Sequence, residues 1–241
     1  IYNCSRERLM RILITGSRKG IGRFLTEKYI DRGFTVIGCS RGDTDYKHDR
    51  YTHYSCDVSD ESAVIRMVRS AGKKHGGIDV LINNAGIASM NHILSTPIET
   101  IKKLFDTNMV GTALLSRETA KLMMRKKIKG RIINFTTVAS PLSLEGEAAY
   151  ASSKAAIQKF TQISAKEFSK FDITVNCIGP NPIETDLIKT VPKDKIQELI
   201  NSQIIKRLGV NEDILNCVDF FIDKSSSFIT AQTIYLGGLH D

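Results

Sequence analysis

The sequence predicts an α/β fold in which one parallel sheet is doubly wound, with helices on both faces. Three observations predict it. Short apolar runs rich in Ile, Val and Leu recur along the chain, each bounded by turn residues. Strands this continuously apolar belong to parallel sheets that are covered on both sides. Segments with helical spacing of apolar residues separate the runs, so β and α units alternate from start to finish. The first run feeds directly into a glycine-rich loop that opens a helix.

The elements follow in order. Arg11 to Thr15 is the first strand, and the helix after the glycine loop runs to about Arg32, where Gly33 closes it. Residues 34–39 form the second strand. The stretch 41–50 is too charged to pack as a core helix. A short third strand around residues 54–56 leads to Asp57 and Val58. The next helix, over about 60–74, carries Ala63, Val64, Met67, Val68 and Ala71 on one stripe. Val80 to Asn83 is a buried strand. Thr96-Pro97-Ile98-Glu99 has the form of a capping box with Pro at the first helical position. From it we expect one long helix ending near Lys127, with Gly130 beyond. Residues 131–136 are the fifth strand, a helix carrying Tyr150 extends to about Phe168, and residues 173–177 are the sixth strand. Pro180, Pro182 and Pro192 mark a loop before a helix at about 211–221, and residues 233–236 close the sheet. No repeat, low-complexity tract or linker interrupts this order. Residues 10–241 are expected to form one domain, with 1–9 as an N-terminal extension.

Composition narrows the function. The chain has 241 residues, long enough to bury a sizeable core, and its 41% apolar and 25% charged content is that of a soluble globular protein. No run approaches the length a membrane span needs, and residues 1–9, with Arg6, Glu7 and Arg8, do not read as a secretory signal. The five cysteines are odd in number and contain no C-x-x-C pair, which suits free thiols in a reducing cytoplasm and no metal site. The net charge of +8 comes partly from Lys121, Arg125, Lys126, Lys127, Lys129 and Arg131. Such a cluster attracts an acidic carrier protein, phosphorylated substrates or nucleic acid, or is simply the solvated end of a helix. No nucleic-acid or membrane partner is expected.

Two constellations carry chemistry. In Thr15-Gly16-Ser17-Arg18-Lys19-Gly20-Ile21-Gly22, the loop follows a strand and opens a helix, where backbone N–H groups meet a pyrophosphate. Gly16 makes the tight turn, Gly20 lets the backbone approach the ligand and Gly22 allows close helix packing. The alternative is an ordinary βα turn. Tyr150 and Lys154 lie four residues apart and so share one face of a helix. A fixed cation beside a phenol favours the phenolate and brings its pKa toward the working range. Thirteen residues before Tyr150, Thr137 places a hydroxyl at the end of an apolar run. Together these point to a carbonyl group, a proton donor and a dinucleotide.

With Asn83-Asn84-Ala85-Gly86, Asn108 and the stretch from Asn176 to Thr185, the ordered set resembles the classical short-chain dehydrogenase/reductase family; the short connection between strands two and three, Lys206-Arg207-Leu208-Gly209 and Ser227-Phe228-Ile229-Thr230 are most similar to its 3-oxoacyl-carrier-protein reductases. The resemblance spans nearly the whole chain from Met10 and implies a Rossmann-like fold. Carried over residue by residue, it implies that Tyr150 is the general acid, that Lys154 lowers its pKa and holds the nicotinamide ribose, and that Thr137 orients the substrate oxygen. Asn108 would bend its helix and fix a water leading to Lys154. Asp57 and Val58 would meet the adenine, or Asp57 would cap the next helix. Asn83, Asn84, Ala85 and Gly86 would line the adenosine side, or Asn83 would simply end its strand. Ile183 and Thr185 would face the nicotinamide amide.

At the end of the second strand, where an NAD enzyme carries an acid, the chain has Ser40-Arg41, and Lys19 lies in the glycine loop. Two cations there favour NADP(H), with NAD(H) also possible. The expected activity is NADPH-dependent reduction of a 3-oxoacyl thioester on a carrier protein or CoA. Alternatives are a sugar, polyol or small-alcohol dehydrogenase, and a dinucleotide-binding protein that has lost turnover. The substrate pocket is expected to be walled by Leu142, Leu144, Ile188 and Val191. A homotetramer or homodimer is implied by resemblance alone. Three positions depart from the family pattern: Thr137 stands where Ser is usual, Asn181 where Gly follows Pro180, and Leu236 where Asp precedes the paired glycines.

Overall fold

The structure, a computed structural model, describes residues 10–183 and 193–238. Seven strands form one parallel sheet: β1 (Arg11–Thr15), β2 (Thr35–Ser40), β3 (Tyr51–Ser55), β4 (Val80–Asn83), β5 (Arg131–Phe135), β6 (Thr174–Gly179) and β7 (Thr233–Tyr235). Their spatial order is β3-β2-β1-β4-β5-β6-β7. The chain moves outward from β1 in one direction, then returns and moves outward in the other. The order therefore reverses between β1 and β4, where Ile12, Leu13 and Ile14 pair with Val80, Leu81 and Ile82. A crevice opens beyond the carboxyl ends of strands at such a reversal.

Alternation along each strand builds two cores. Leu13, Ile37, Leu81, Ile132 and Val175 face one side of the sheet. There they pack on α2 (Glu61–His75), α4 (Gly111–Lys126) and α6 (Ala148–Phe168) through residues such as Val64, Leu115 and Ala165. Ile12, Ile14, Val36, Ile82 and Ile133 face the other side, against α1 (Gly20–Asp31) and α8 (Asn211–Ile222), with Leu25, Tyr29, Val218 and Phe221 fully or almost fully buried. Each such side chain contributes roughly 1.5–3 kcal/mol by leaving water. The remaining α-helices among the described residues are α3 (Ile98–Phe105), the short α5 (Ala139–Leu142) and α7 (Lys193–Ser202).

Helix α2 shows how local chemistry sets the boundaries. Asp60 caps it by accepting from Ala63 N at 3.0 Å, Gly76 ends it in the left-handed region at φ 77°, and Lys73, Lys74 and His75 occupy the negative end of the helix dipole.

Two expectations about the long helix are corrected. Thr96 forms no capping box: Pro97 occupies the N-cap without a side-chain bond, and Thr96 Oγ1 donates back to the carbonyls of Asn91 and His92. The helix is also not continuous. A π turn at Asp106–Val110 separates α3 from α4, and Asn108 is completely buried within it. Among the described residues no helix is long and apolar enough to cross a membrane.

Candidate active site

The crevice is a cleft of about 1010 Å³. Its walls come from the loops after β1, β2, β3, β4, β5 and β6, so neighbouring strand ends bring together residues far apart in sequence. At the β1 end, Gly16 at φ 69° and Gly20 at φ 56° take left-handed backbone that other residues enter with strain. A Cβ on Gly16 would lie 2.9 Å from Asn84 Nδ2, and one on Gly22 would collide with the Gly16 carbonyl. Gly22 therefore lets the loop close on itself. No side chain caps α1, so its first N–H groups remain for an anion. The β1 and β4 ends are tied together, with Asn84 Nδ2 donating to Thr15 O at 2.9 Å and Ala85 N donating to Thr15 Oγ1 at 2.8 Å.

Of the expected coenzyme contacts, Gly16, Arg18, Lys19, Gly20, Ile21, Arg41, Asp57, Val58, Asn84, Ala85, Gly86 and Ile183 all line the cleft. Ser17 and Gly22 are buried behind its wall. Thr185, Ile188 and Val191 lie outside the described residues. Asn83 is corrected to a structural role: its Nδ2 donates to Ser116 Oγ and Asn134 Oδ1 inside the core. Asp57 does not cap α2. Its Oδ1 accepts from Ser59 N and Oγ, and these bonds, with the charge of Arg41, hold its carboxyl below the usual range although burial acts to raise it. The shape and donor set fit a dinucleotide: a glycine turn before a bare helix N-terminus, cations at the β2 end and an acid at the β3 end.

At the reacting end, Thr137, Tyr150 and Lys154 share one wall. The β5–α6 packing fixes them. Thr136 Oγ1 donates to Lys154 O at 2.9 Å, and Asn134 Nδ2 donates to Thr161 Oγ1 at 2.8 Å. Lys154 is buried, and its Nζ donates to Phe135 O at 3.0 Å. Asn108 braces the group from behind. Its Oδ1 accepts from Ile87 N at 2.9 Å, and its Nδ2 donates to Ile87 O and Ser153 Oγ at 3.0 Å each. Ser153 Oγ in turn donates to Tyr150 O at 2.7 Å. The Asn108 main-chain oxygen takes the Thr112 hydroxyl at 2.7 Å.

The electrostatics correct another expectation. Burial pushes the Tyr150 phenol up to about 12, the Glu147 carboxylate adds to the rise, and the Thr137 hydroxyl opposes it. Burial brings Lys154 down to about 8, with Cys177 acting the other way. The lysine therefore does not depress the phenol in this state, because its own charge is disfavoured and its ammonium is engaged by a carbonyl. In this state the phenol keeps its proton more firmly than a free tyrosine, and the lysine gives up its charge more readily than a free lysine.

Asn181 lines the cleft without left-handed backbone, and its Nδ2 donates to Leu236 O, fastening the β6 loop to β7. Leu144 lines the pocket as expected, whereas Leu142 does not. Glu147 is a residue that sequence reading misses. It lies one helical turn before Tyr150, lines the cleft, and has Oε2 buried without a partner. The only signal in the sequence is its i,i+3 spacing from Tyr150.

The basic cluster resolves into separate roles. Lys121 pairs with Glu118 and Lys129 with Asp172, while Arg131 is buried with Nη1 on the Gly130 carbonyl. Arg125, Lys126 and Lys127 are exposed at the end of α4, before β5 begins, so they lie at the edge of the sheet opposite the cleft.

The family model described as short chain dehydrogenase matches residues 10–196, and the chain belongs to that family. Its relatives include the 3-oxoacyl-[acyl-carrier-protein] reductase FabG of Vibrio cholerae serotype O1, 30% identical and covering 94% of this chain and 95% of that protein. The enzyme of the same name from Escherichia coli strain K12 gives the same figures. Among solved structures, 4-hydroxyisoleucine dehydrogenase complexed with NADH is similar with a TM-score of 0.86 and 29% identity, covering 95% of this chain and 97% of that one. The ligand-free aldohexose dehydrogenase of Thermoplasma acidophilum gives 0.87 and 28%, with 96% and 94% covered. The protein is thus an oxidoreductase with a Rossmann-like fold that uses a nicotinamide nucleotide.

Proposed function

We propose that this protein uses NADPH to reduce a ketone to a secondary alcohol, with a 3-oxoacyl thioester on carrier protein or CoA as substrate. The observation that carries the reading is the convergence of Thr137, Tyr150 and Lys154 on one wall of a cleft whose far end holds Lys19 and Arg41. Guanidinium and ammonium groups match a ribose phosphate, which supports NADP(H) over NAD(H). The thioester class is supported by the FabG relatives, and apolar Ile87, Val138 and Leu144 along the substrate end suit an acyl chain.

When bound, the nicotinamide supplies hydride to the carbonyl carbon. Thr137 donates a hydrogen bond to the carbonyl oxygen and orients it. Tyr150 gives that oxygen its proton, completing the alcohol, and regains one from solvent. Lys154 holds the nicotinamide ribose hydroxyls, and its charge stabilises the phenolate that Tyr150 becomes. Asn108 keeps the Tyr150 turn in place through Ser153. In this reading the protein works in the cytoplasm as a homodimer or homotetramer, an assembly supported by exposed Ile98, Val110, Met124 and Ile163 around α3, α4 and α6.

A second reading, oxidation or reduction of a sugar, polyol or small alcohol, is favoured by Glu145, Glu147 and Glu198 lining the cleft. Carboxylates there accept hydrogen bonds from hydroxyls and repel phosphorylated carriers. Purified protein given NADPH and acetoacetyl-CoA should consume the coenzyme. No consumption across several acyl lengths, with turnover of aldohexoses or polyols, selects the second reading.

A further inference from the structure

Beside the glycine loop, the β3 edge of the sheet sends side chains across β2. Tyr51 opens β3 in register with Val36, yet its phenol reaches Ser17 Oγ of the glycine loop at 2.9 Å. Gly38 permits the crossing, since a Cβ there would collide with both Ser17 Oγ and Tyr51 Oη. The same phenol meets His53 Nδ1 at 3.0 Å. His53 Nε2 then lies 3.1 Å from Gly42 O and 3.2 Å from Ser40 Oγ. Ser40 Oγ itself donates to Gly42 O at 2.7 Å.

The protons on this chain follow from its last acceptor. A carbonyl only accepts, so His53 Nε2 carries a proton; in the neutral ring Nδ1 then accepts from Tyr51, whose oxygen accepts from Ser17. A neutral imidazole thus satisfies every group in one direction, and such a network holds its ends more firmly than isolated bonds would. Tyr46 packs edge-on against Tyr51 at 5.4 Å, and the Arg23 guanidinium covers Tyr46 at 4.3 Å.

Both ends of the chain adjoin cations of the coenzyme cleft. Ser17 precedes Arg18 and Lys19, and Ser40 and Gly42 flank Arg41; all three cations line the cleft. Arg18 also rests on the held turn, because a Cβ at Gly42 would lie 2.6 Å from its Nη1. We infer that Tyr51 and His53 are positioning residues for coenzyme choice. Through Ser17 and the Ser40–Gly42 turn they hold Arg18, Lys19 and Arg41 around the phosphate on the adenosine ribose. The inference rests on the NADP(H) reading above. A nucleotide with a free ribose hydroxyl at that position makes no use of this arrangement.

Calorimetric titration of the whole protein with 2′,5′-ADP and with 5′-AMP tests it without needing the substrate. Tyr51→Phe keeps the ring and removes one hydroxyl. It should weaken 2′,5′-ADP binding about tenfold, the value of one hydrogen bond, and leave 5′-AMP binding unchanged. His53→Gln, which retains an N–H for Gly42 O, should lose less 2′,5′-ADP affinity than His53→Leu. If the unaltered protein binds 2′,5′-ADP no more tightly than 5′-AMP, the NADP(H) reading fails and the inference falls with it. If the unaltered protein discriminates and Tyr51→Phe discriminates equally well, the inference alone is overturned. Equal weakening of both ligands would also overturn it, by reducing the pair to general support of the fold.

Discussion

Lys154 holds an ammonium almost out of water with one carbonyl for company, and burial lowers its pKa from 10.5 to about 8. Between those values the unfolded chain binds the extra proton, so stability climbs as pH rises from about 8 to 10.5 and the burial penalty is present in full below about 8. Lys154→Met should therefore raise the unfolding free energy at neutral pH by about 2–3 kcal/mol, with the gain shrinking toward alkaline pH; denaturant midpoints across that range check both parts. Tyr150 has the opposite bias, toward keeping its proton, and Glu147 is one cause. Reduction uses the Lys154 charge and the protonated phenol, so kcat/KM falls first as Lys154 loses its charge and again, at higher pH, as pH rises through the Tyr150 value. Removing the carboxylate charge with Glu147→Gln should start that second fall at lower pH. A pH profile with an unmoved alkaline limb would refute this coupling.

Between α3 and α4, the π turn carries Asn108 into the space behind the reacting wall, where one carboxamide serves Ile87 and Ser153 together. Asn108→Ala leaves the Ile87 N–H and C=O without those partners in a partly buried place, and Ser153 Oγ without its donor in a buried one. We expect a loss of about 2–4 kcal/mol in denaturant unfolding together with reduced turnover, because the Ser153 link to the Tyr150 carbonyl loosens. Strands were readable in the sequence because an interior parallel strand must be apolar on both faces, as Ile12, Leu13 and Ile14 are. The π turn was not readable from periodicity, although the family resemblance implied a bend at Asn108. It inserts one residue per turn without changing composition, so periodicity passes over it. The supposed cap at Thr96 failed for a related reason: its hydroxyl had nearer acceptors in Asn91 and His92, and local sequence does not reveal that competition.

Across the whole molecule, the sheet separates charge from chemistry. β5 spans five residues, or about 16 Å, between the exposed cations after α4 and the Thr137 wall. Reversing Arg125, Lys126 and Lys127 to Glu should leave kcat/KM unchanged for a substrate on an acidic carrier; steady-state rates at low salt check this, where attraction to that surface would be strongest. Much of the site was legible because loops at neighbouring strand ends each carry a short motif, as with Gly16–Gly22 and Tyr150–Lys154. Glu147 and the Tyr51–His53 chain were not, since an acid with one oxygen buried and a phenol crossing beneath Gly38 acquire meaning only once β2, β3 and α6 are assembled. Tyr150→Phe, assayed for NADPH consumption and, separately, for NADPH binding, is the measurement that bears most directly on the account. Turnover should fall by about 10²–10⁴-fold while coenzyme affinity stays unchanged, as expected when a proton donor alone is removed. Turnover close to that of the unaltered enzyme would contradict the role given to this phenol.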